Sequence, residues 1–160
     1  MAEMYLNLAE ILIELDALEN TTGRLEEAKG LIDKIRVRAG IPTIDEAWKK
    51  ANHPEKANTA EGLREIVRRE RQIEFYLENQ RFWDLRRWKD AGILGEKVWG
   101  MNIEGDTDET FFVPTELQNI RTFKQAQYLM PIPMTETNKV PHIVQNPGSV
   151  SYTHLRAHET

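Results

Sequence analysis

Apolar residues recur at helical spacing through the first half of the chain and lose that rhythm in the second. Tyr5, Leu8, Leu12 and Leu15 form one stripe, and Leu6, Ala9, Ile13 and Ala17 form another, so a helix over residues 3–19 carries apolar positions on more than one side. Such a helix needs cover on two sides and belongs inside a helical stack. "ENTTG" (19–23) supplies a turn, after which Leu25, Ala28, Leu31, Ile32 and Ile35 restore the period. "RAGIP" ends the second helix, because Gly40 suits the left-handed position just past a helix and Pro42 cannot continue one. Residues 3–39 therefore predict a helical hairpin of tetratricopeptide length, with Gly23 and Ala28 at small-residue positions. One such unit cannot bury its own faces.

Residues 43–58, "TIDEAWKKANHPEKAN", predict a polar connector with a short helical turn around Trp48. Asn58, with Glu61 three residues later, predicts a capping box opening a third helix carried by Leu63, Ile66, Val67, Ile73 and Leu77. Asn79 marks a bend before a short fourth helix through Phe82, Leu85 and Trp88, which "DAGILG" ends. Past residue 100, "TDETFFVPTELQ" and "QYLMPIPMTETNKVPHIVQNPG" carry prolines and no sustained period, and predict ordered loop. Pro131 and Pro133 fix two φ angles and withdraw two donors, forcing an extended path from which Tyr128, Leu129, Met130 and Ile132 can lie on a helical surface. The alternative for this segment, a proline-rich ligand for a partner domain, fits worse because the stretch is apolar and has no basic flank suited to PxxP recognition. The expected fold class is mainly α: tetratricopeptide-like helical hairpins plus a proline-rich, loop-dominated C-terminal strap.

Charge adds a second layer in "RRERQIEFYLENQRFWDLRRWKD" (68–90). Glu70 falls between Val67 and Ile73 on the apolar face of the third helix, and Glu74 follows one turn later. A buried carboxylate without a partner is costly, so Glu70 is expected to meet Arg36 or Arg38 from the end of the second helix. Arg71 and Arg81 are placed to reach Glu74 and Glu78 along the helix surface. Trp83 and Trp88 bring large apolar area with one donor each, as core or interface. Arg36, Arg38, Glu70, Glu74, Arg81 and Asp84 are read as structural residues of an Arg–carboxylate lattice that fixes how helices dock.

Composition narrows the functions. The 160 residues fit one domain, and with no cysteine the fold needs no disulfide. A net charge of −5 argues against a general polyanion binder, and residues 62–90 hold eight basic against six acidic side chains, so the basic run largely neutralises itself. Glu70 and Glu74 could pair for acid–base work, but no nucleophile or metal motif stands near them, and no catalytic residue is assigned. The spacing of Glu104, Asp106, Asp108 and Glu109 in "EGDTDE" is not that of a calcium loop and reads as a solvated turn. No metal and no cofactor are expected. "MAEMYLNLAEILIEL" carries Glu3, Glu10 and Glu14, no preceding cation and no cleavage site, so it is neither a signal peptide nor a membrane span. It enters helical periodicity without a cap, as a start inside a longer protein would.

The run "LAEILIELDALENTTGRLEEAKGLIDKIRVRAGIP", then "RRERQIEFYLENQRFWDLRRW", "YLMPIP" and "QNPG", resembles the C-terminal portion of the SusD/RagB family of nutrient-uptake outer-membrane lipoproteins, over most of residues 5–149. Asp33 stands where that family commonly has asparagine, and Asn79–Gln80 replaces a glycine-containing bend. The resemblance implies a helical fold built on tetratricopeptide-like hairpins, an outer-membrane, cell-surface location through an N-terminal lipid, and a TonB-dependent SusC-like transporter barrel as partner. It also implies capture of an oligosaccharide or peptide without chemistry, no nucleic acid, and membrane contact only through the lipid anchor. The signal and anchor cysteine are absent from this chain, which would be the last third of such a protein. Ligand-contacting residues of the family lie largely outside these motifs, so none is assigned here.

Two other readings are carried: a soluble tetratricopeptide-like protein-interaction module, and a small helical enzyme using the Glu70/Glu74 face. A reading frame continuous with a lipoprotein signal beside a barrel-receptor gene separates the first reading from these. Truncation implies an exposed apolar patch around Leu6, Ala9 and Ile13, where the missing part would sit. Residues 150–160, "VSYTHLRAHET" from its first valine, resemble a translated sequencing-library adapter, dividing the chain into a family region, 1–149, and a non-native tail. His154 and His158, four apart with Glu159 adjacent, mimic a helical metal pair. A real site needs a third ligand, and neither His53 nor His142 has a context that supplies it.

Overall fold

The computed structural model describes residues 1–117, 122–140 and 142–149. The chain divides into two units, Met1–Arg81 and Phe82–Thr160.

In the first unit each helix starts or stops where local chemistry dictates. α1, Ala2–Glu19, ends at Asn20, which takes a left-handed φ of 53° while its N–H bonds Asp16 O. α2, Leu25–Arg38, ends in a Schellman arrangement: Gly40 is left-handed at φ 74°, its N–H bonds Val37 O at 3.0 Å, and Ile41 N–H bonds Arg36 O at 3.0 Å. The turn expected around Trp48 is α3, Ile44–Trp48, opened by a capping box in which Thr43 and Glu46 satisfy each other's N–H groups. α4, Ala60–Glu74, is capped by Thr59 rather than Asn58: Thr59 Oγ1 accepts from Gly62 N–H at 3.1 Å. Asn58 Oδ1 instead accepts from Lys29 Nζ at 3.3 Å, so the neighbouring polar residue was free to take the cap.

α1, α2 and α4 pack around one core in which Leu6, Ile13, Ile32, Leu63 and Val67 are fully buried, joined by Ile44 of α3. Side chains of this size contribute about 1.5–3 kcal/mol each on full burial. α4 also corrects the expected length of the third helix. It stops at Glu74, Phe75 takes the next buried place, and Leu77 is 84% exposed at a left-handed φ of 68°. Ile73 is likewise exposed.

The expected exposed patch on α1 is reversed. Leu6, Ala9 and Ile13 face the core, while Met4, Leu8, Ile11, Leu15 and Leu18 on the opposite side are exposed. The reason is local: Ala9 is the smallest residue of the two stripes near mid-helix, and it lets α2 and α4 approach closely on its side.

The division between units falls within α5, Gln80–Arg87, which follows the left-handed Asn79 at φ 61°. In the second unit a 3-10 turn, Ala91–Gly95, follows α5. The stretch expected to be loop contains an antiparallel pair, β1 (Trp99–Met101) with β2 (Pro114–Glu116), in the register Trp99 opposite Glu116 and Met101 opposite Pro114. A short α6, Asp108–Phe111, lies between the strands in sequence. A 3-10 turn, Gln125–Tyr128, and α7, Met134–Lys139, follow. The fold is mainly helical with minimal strand. Among the described residues no helix is long and apolar enough to cross a membrane. The tail 150–160, with His154, His158 and Glu159, lies outside the described residues.

Candidate functional site

α2 and α4 run their charged faces past each other, and the carboxylates singled out in the sequence are met there by arginines. Arg36 Nη1 donates to Glu70 Oε1, and both side chains are about nine-tenths buried. Arg36 Nε also donates to Pro42 O at 2.7 Å, so the guanidinium is held at two points. One turn on, Arg38 Nη2 donates to both Glu74 oxygens at 2.6 and 2.8 Å, in a more exposed setting. Glu70 and Glu74 thus each carry an arginine and do not share an open cleft. Asp84 is buried on α5 and accepts from Arg87 Nη2 at 3.0 Å, while Arg81 is half-buried on the same helix.

Arg71 does not run along its own helix to Glu74. It is buried, donates to Asn7 Oδ1 of α1 at 2.5 Å and lies over the Phe75 ring. Further pairs were not legible from spacing. Arg64 forks onto Glu14, Nε to Oε1 at 2.5 Å and Nη2 to Oε2 at 2.8 Å, across 50 residues. Those bonds hold the Glu14 carboxyl below the usual carboxylate range. Burial alone would raise the Asp16 carboxyl, but bonds from Thr21 Oγ1, Arg24 N–H and the Arg24 guanidinium reverse this and leave it lowered. Burial likewise works against the Lys29 ammonium, and Glu26 and Asp45 more than offset it, leaving its pKa raised. Asp33 accepts from Ile44 N–H at 2.8 Å, and burial pushes its carboxyl up.

The second unit is tied differently, through side chains that bond backbone. Tyr128 Oη donates to Lys89 O at 2.7 Å and accepts from Ala91 N–H at 3.1 Å, closing the turn after α5. Arg86 Nε donates to Gln127 O at 3.1 Å, with its guanidinium 3.5 Å over the Phe82 ring. Gln145 accepts from Ile132 N–H at 2.8 Å and donates to Ile132 O at 2.9 Å, the two-way pairing a neighbouring strand would make. Asn146 Nδ2 donates to Met130 O at 2.6 Å. "YLMPIP" and "QNPG" are therefore bonded to each other. Gly148 is left-handed at φ 77°, and a Cβ there would lie 2.9 Å from Ala126 Cβ.

These ties frame a cleft of about 600 Å³ lined by Tyr128, Leu129, Ala126 and Pro147, with Arg86, Lys89 and Gln125 supplying its polar groups. Its size suits a small ligand. Lys89 makes no ion pair among the described residues, so the cleft offers an apolar wall with an available cation. His53 is exposed and pairs with Glu55 at 3.1 Å, and no cluster of three His, Cys, Asp or Glu side chains able to hold a metal occurs among the described residues.

A helical body laced by Arg–carboxylate pairs, followed by a segment whose motifs are clamped to one another, defines a framework of helices. Residues 1–148 match the SusD family, and the chain belongs to it. Proteins of that family are non-catalytic outer-membrane lipoproteins of nutrient uptake and typically pair with SusC transporters. Among solved structures, a SusD-like protein from Bacteroides fragilis NCTC 9343 is 36% identical, with a TM-score of 0.68, over 92% of this chain and 25% of its own. BT4246 in its selenomethionine form is 32% identical with a TM-score of 0.73, over 92% of this chain and 24% of its own. A second structure of BT4246 gives 34% and 0.71, over 92% of this chain and 23% of its own. The chain thus spans about a quarter of the length of these relatives. No curated protein matches it.

Proposed function

We propose that this chain is part of a non-catalytic, cell-surface component that captures a glycan or peptide for a TonB-dependent SusC-like transporter, and that its residues serve chiefly as framework. The family match over residues 1–148 carries this reading. The Arg36–Glu70 and Arg38–Glu74 pairs support the framework role, since both carboxylates are occupied by arginine. In the same reading α1 and α2 form a tetratricopeptide-like hairpin, the segment around Pro131 and Pro133 is a strap over helices, and residues 150–160 are not native.

The test uses a polypeptide of the relatives' length that contains these residues, purified from outer membranes and titrated calorimetrically with oligosaccharide and peptide mixtures. The reading expects saturable binding to one of the two classes and co-purification of a large β-barrel. Co-purification of soluble helical partners with neither barrel nor nutrient would favour an interaction module instead. Deleting Val150–Thr160 should leave the thermal midpoint unchanged.

A further inference from the structure

The cleft of about 600 Å³, which lies wholly within the second unit, carries a charge that the framework reading does not use. The chain has a net charge of −5, yet two cations, Arg86 and Lys89, line the cleft and no carboxylate does. Neither cation makes an ion pair among the described residues, and the nearby buried acid, Asp84, is bonded by Arg87 instead. Arg86 is fixed from one side. Its Nε donates to Gln127 O at 3.1 Å, its Nη1 to Phe82 O at 3.4 Å, and its guanidinium stacks on the Phe82 ring, while Nη2 makes no bond among the described residues. A held guanidinium with a spare donor is prepared for an oxygen anion.

Lys89 sits in a strained place. It follows α5 at a left-handed φ of 57°, with its N–H bonded to Arg86 O at 3.1 Å and Asp90 N–H bonded to Leu85 O at 2.8 Å, a helix end at which glycine is the usual residue. Tyr128 Oη donates to its carbonyl at 2.7 Å and holds the turn in that form. Strain of this kind gathers where a side chain serves a ligand.

The geometry points to this cleft as a binding site for the C-terminal residue of a short peptide, its free carboxylate met by Arg86 and Lys89 and its apolar side chain laid on Leu129 and Pro147. Charge selects the carboxylate, because the cleft is cationic in an acidic chain. The wall selects the peptide: a uronic acid also brings a carboxylate, but it would set hydroxyls against Leu129 and Pro147. Gln125 adds an amide that can bond the peptide's own backbone. This deepens the reading of the chain as part of a capture component, on which it rests for the source of the peptide.

The test titrates acetyl-leucyl-leucine, its C-terminal amide and a glucuronic acid disaccharide into this 160-residue chain and into the polypeptide of the relatives' length, with backbone amide shifts as the readout. The inference expects the free acid to move the amides of Ala126, Leu129 and Gly148 in both, and the peptide amide and the disaccharide to bind at least about ten-fold more weakly. Lys89→Arg should keep the affinity. Lys89→Gly should weaken it by at least about ten-fold without lowering the thermal midpoint, since glycine suits that backbone better, so the loss is not one of folding. Equal affinity for acid and amide, tighter binding of the disaccharide, or a Lys89→Gly chain that binds as well as the parent would each overturn it. Absence of shifts in the long polypeptide would overturn it too, because the cleft would then be covered there. A long polypeptide that binds nutrient with no dependence on Lys89 refutes only this inference, whereas Lys89-dependent binding of acetyl-leucyl-leucine with neither nutrient nor barrel refutes only the function.

Discussion

Residues 1–81 and 82–149 are held by different physics. The first are organised by burial of side chains from three helices, with charge pairs linking positions far apart in sequence, as in Arg64 to Glu14 and Arg36 to Glu70. The second bury few large side chains among the described residues, and are instead clamped where Tyr128, Arg86, Gln145 and Asn146 bond backbone groups. An apolar core is set by periodicity and tolerates exchange of one aliphatic residue for another. A side-chain-to-backbone clamp depends on single groups at single positions and tolerates almost none. This explains why the motifs of the second region are short and glycine- or proline-bearing.

The largest expected effect tests the charged half of that contrast. Glu70→Ala should lower the stability of the chain by about 3 kcal/mol in urea unfolding, because the buried Arg36 loses its carboxylate. Replacing both partners, Arg36→Met with Glu70→Leu, should recover most of that loss. If the single substitution costs no more than an exposed pair does, the lattice is decoration on an apolar core.

In the second region Gln145→Ala should cost about 2 kcal/mol, since it strips both the N–H and the C=O of Ile132 of their partner. Proteolytic cleavage between Met130 and Gly148 should rise with it. Gly148→Ala should cost about 1–2 kcal/mol, from a left-handed backbone and a Cβ driven to 2.9 Å from Ala126. An unchanged midpoint for either variant would show that the clamp is not what holds this segment.

The smallest effect is a gain. Asp33 has its folded-state pKa raised above 3.8 by burial, so the folded chain binds the proton more tightly than the unfolded one. Its contribution is therefore best at low pH, and stability from this group falls as pH rises through the ordinary carboxylate value to the raised one. Asp33→Asn keeps the acceptor for Ile44 N–H and removes the charge. It should add about 0.5 kcal/mol at neutral pH, discounted for the partial exposure of the group, and remove that segment of the pH slope. A loss at neutral pH would mean the Arg36 charge needs Asp33 as well as Glu70.

The helices of the first region were legible because they are long and periodic, and the stop at Gly40 because only one residue there suits a left-handed backbone. Which side of α1 faces the core was not legible: two apolar stripes give the same period, and only the packing of α2 and α4 against Ala9 selects one. Thr59 and Asn58 are both good caps side by side, and the choice is made by Lys29, a residue 29 positions away from Asn58. β1 and β2 are three residues each, too short to show alternation. The charged residues named from the sequence lie where α2 and α4 face each other and on α5, whereas Arg64 was not named, Arg71 was given a partner on its own helix instead of Asn7, and Tyr128 was given only an apolar role, because their partners are fixed only by the fold. For Tyr128, Gln145 and Asn146 a signal existed in "YLMPIP" and "QNPG", but nothing local says that the two motifs bond each other.

Native-state hydrogen exchange at single-residue resolution tests the contrast most directly. The amides of Ile13, Ile32 and Val67, one from each packed helix, should exchange through one shared opening, and Glu70→Ala should lower their protection by the same amount. The amide of Ile132, bonded by Gln145, should keep its protection in Glu70→Ala and lose it in Gln145→Ala. Equal loss at Ile132 and in the three helices in response to Glu70→Ala would contradict the account.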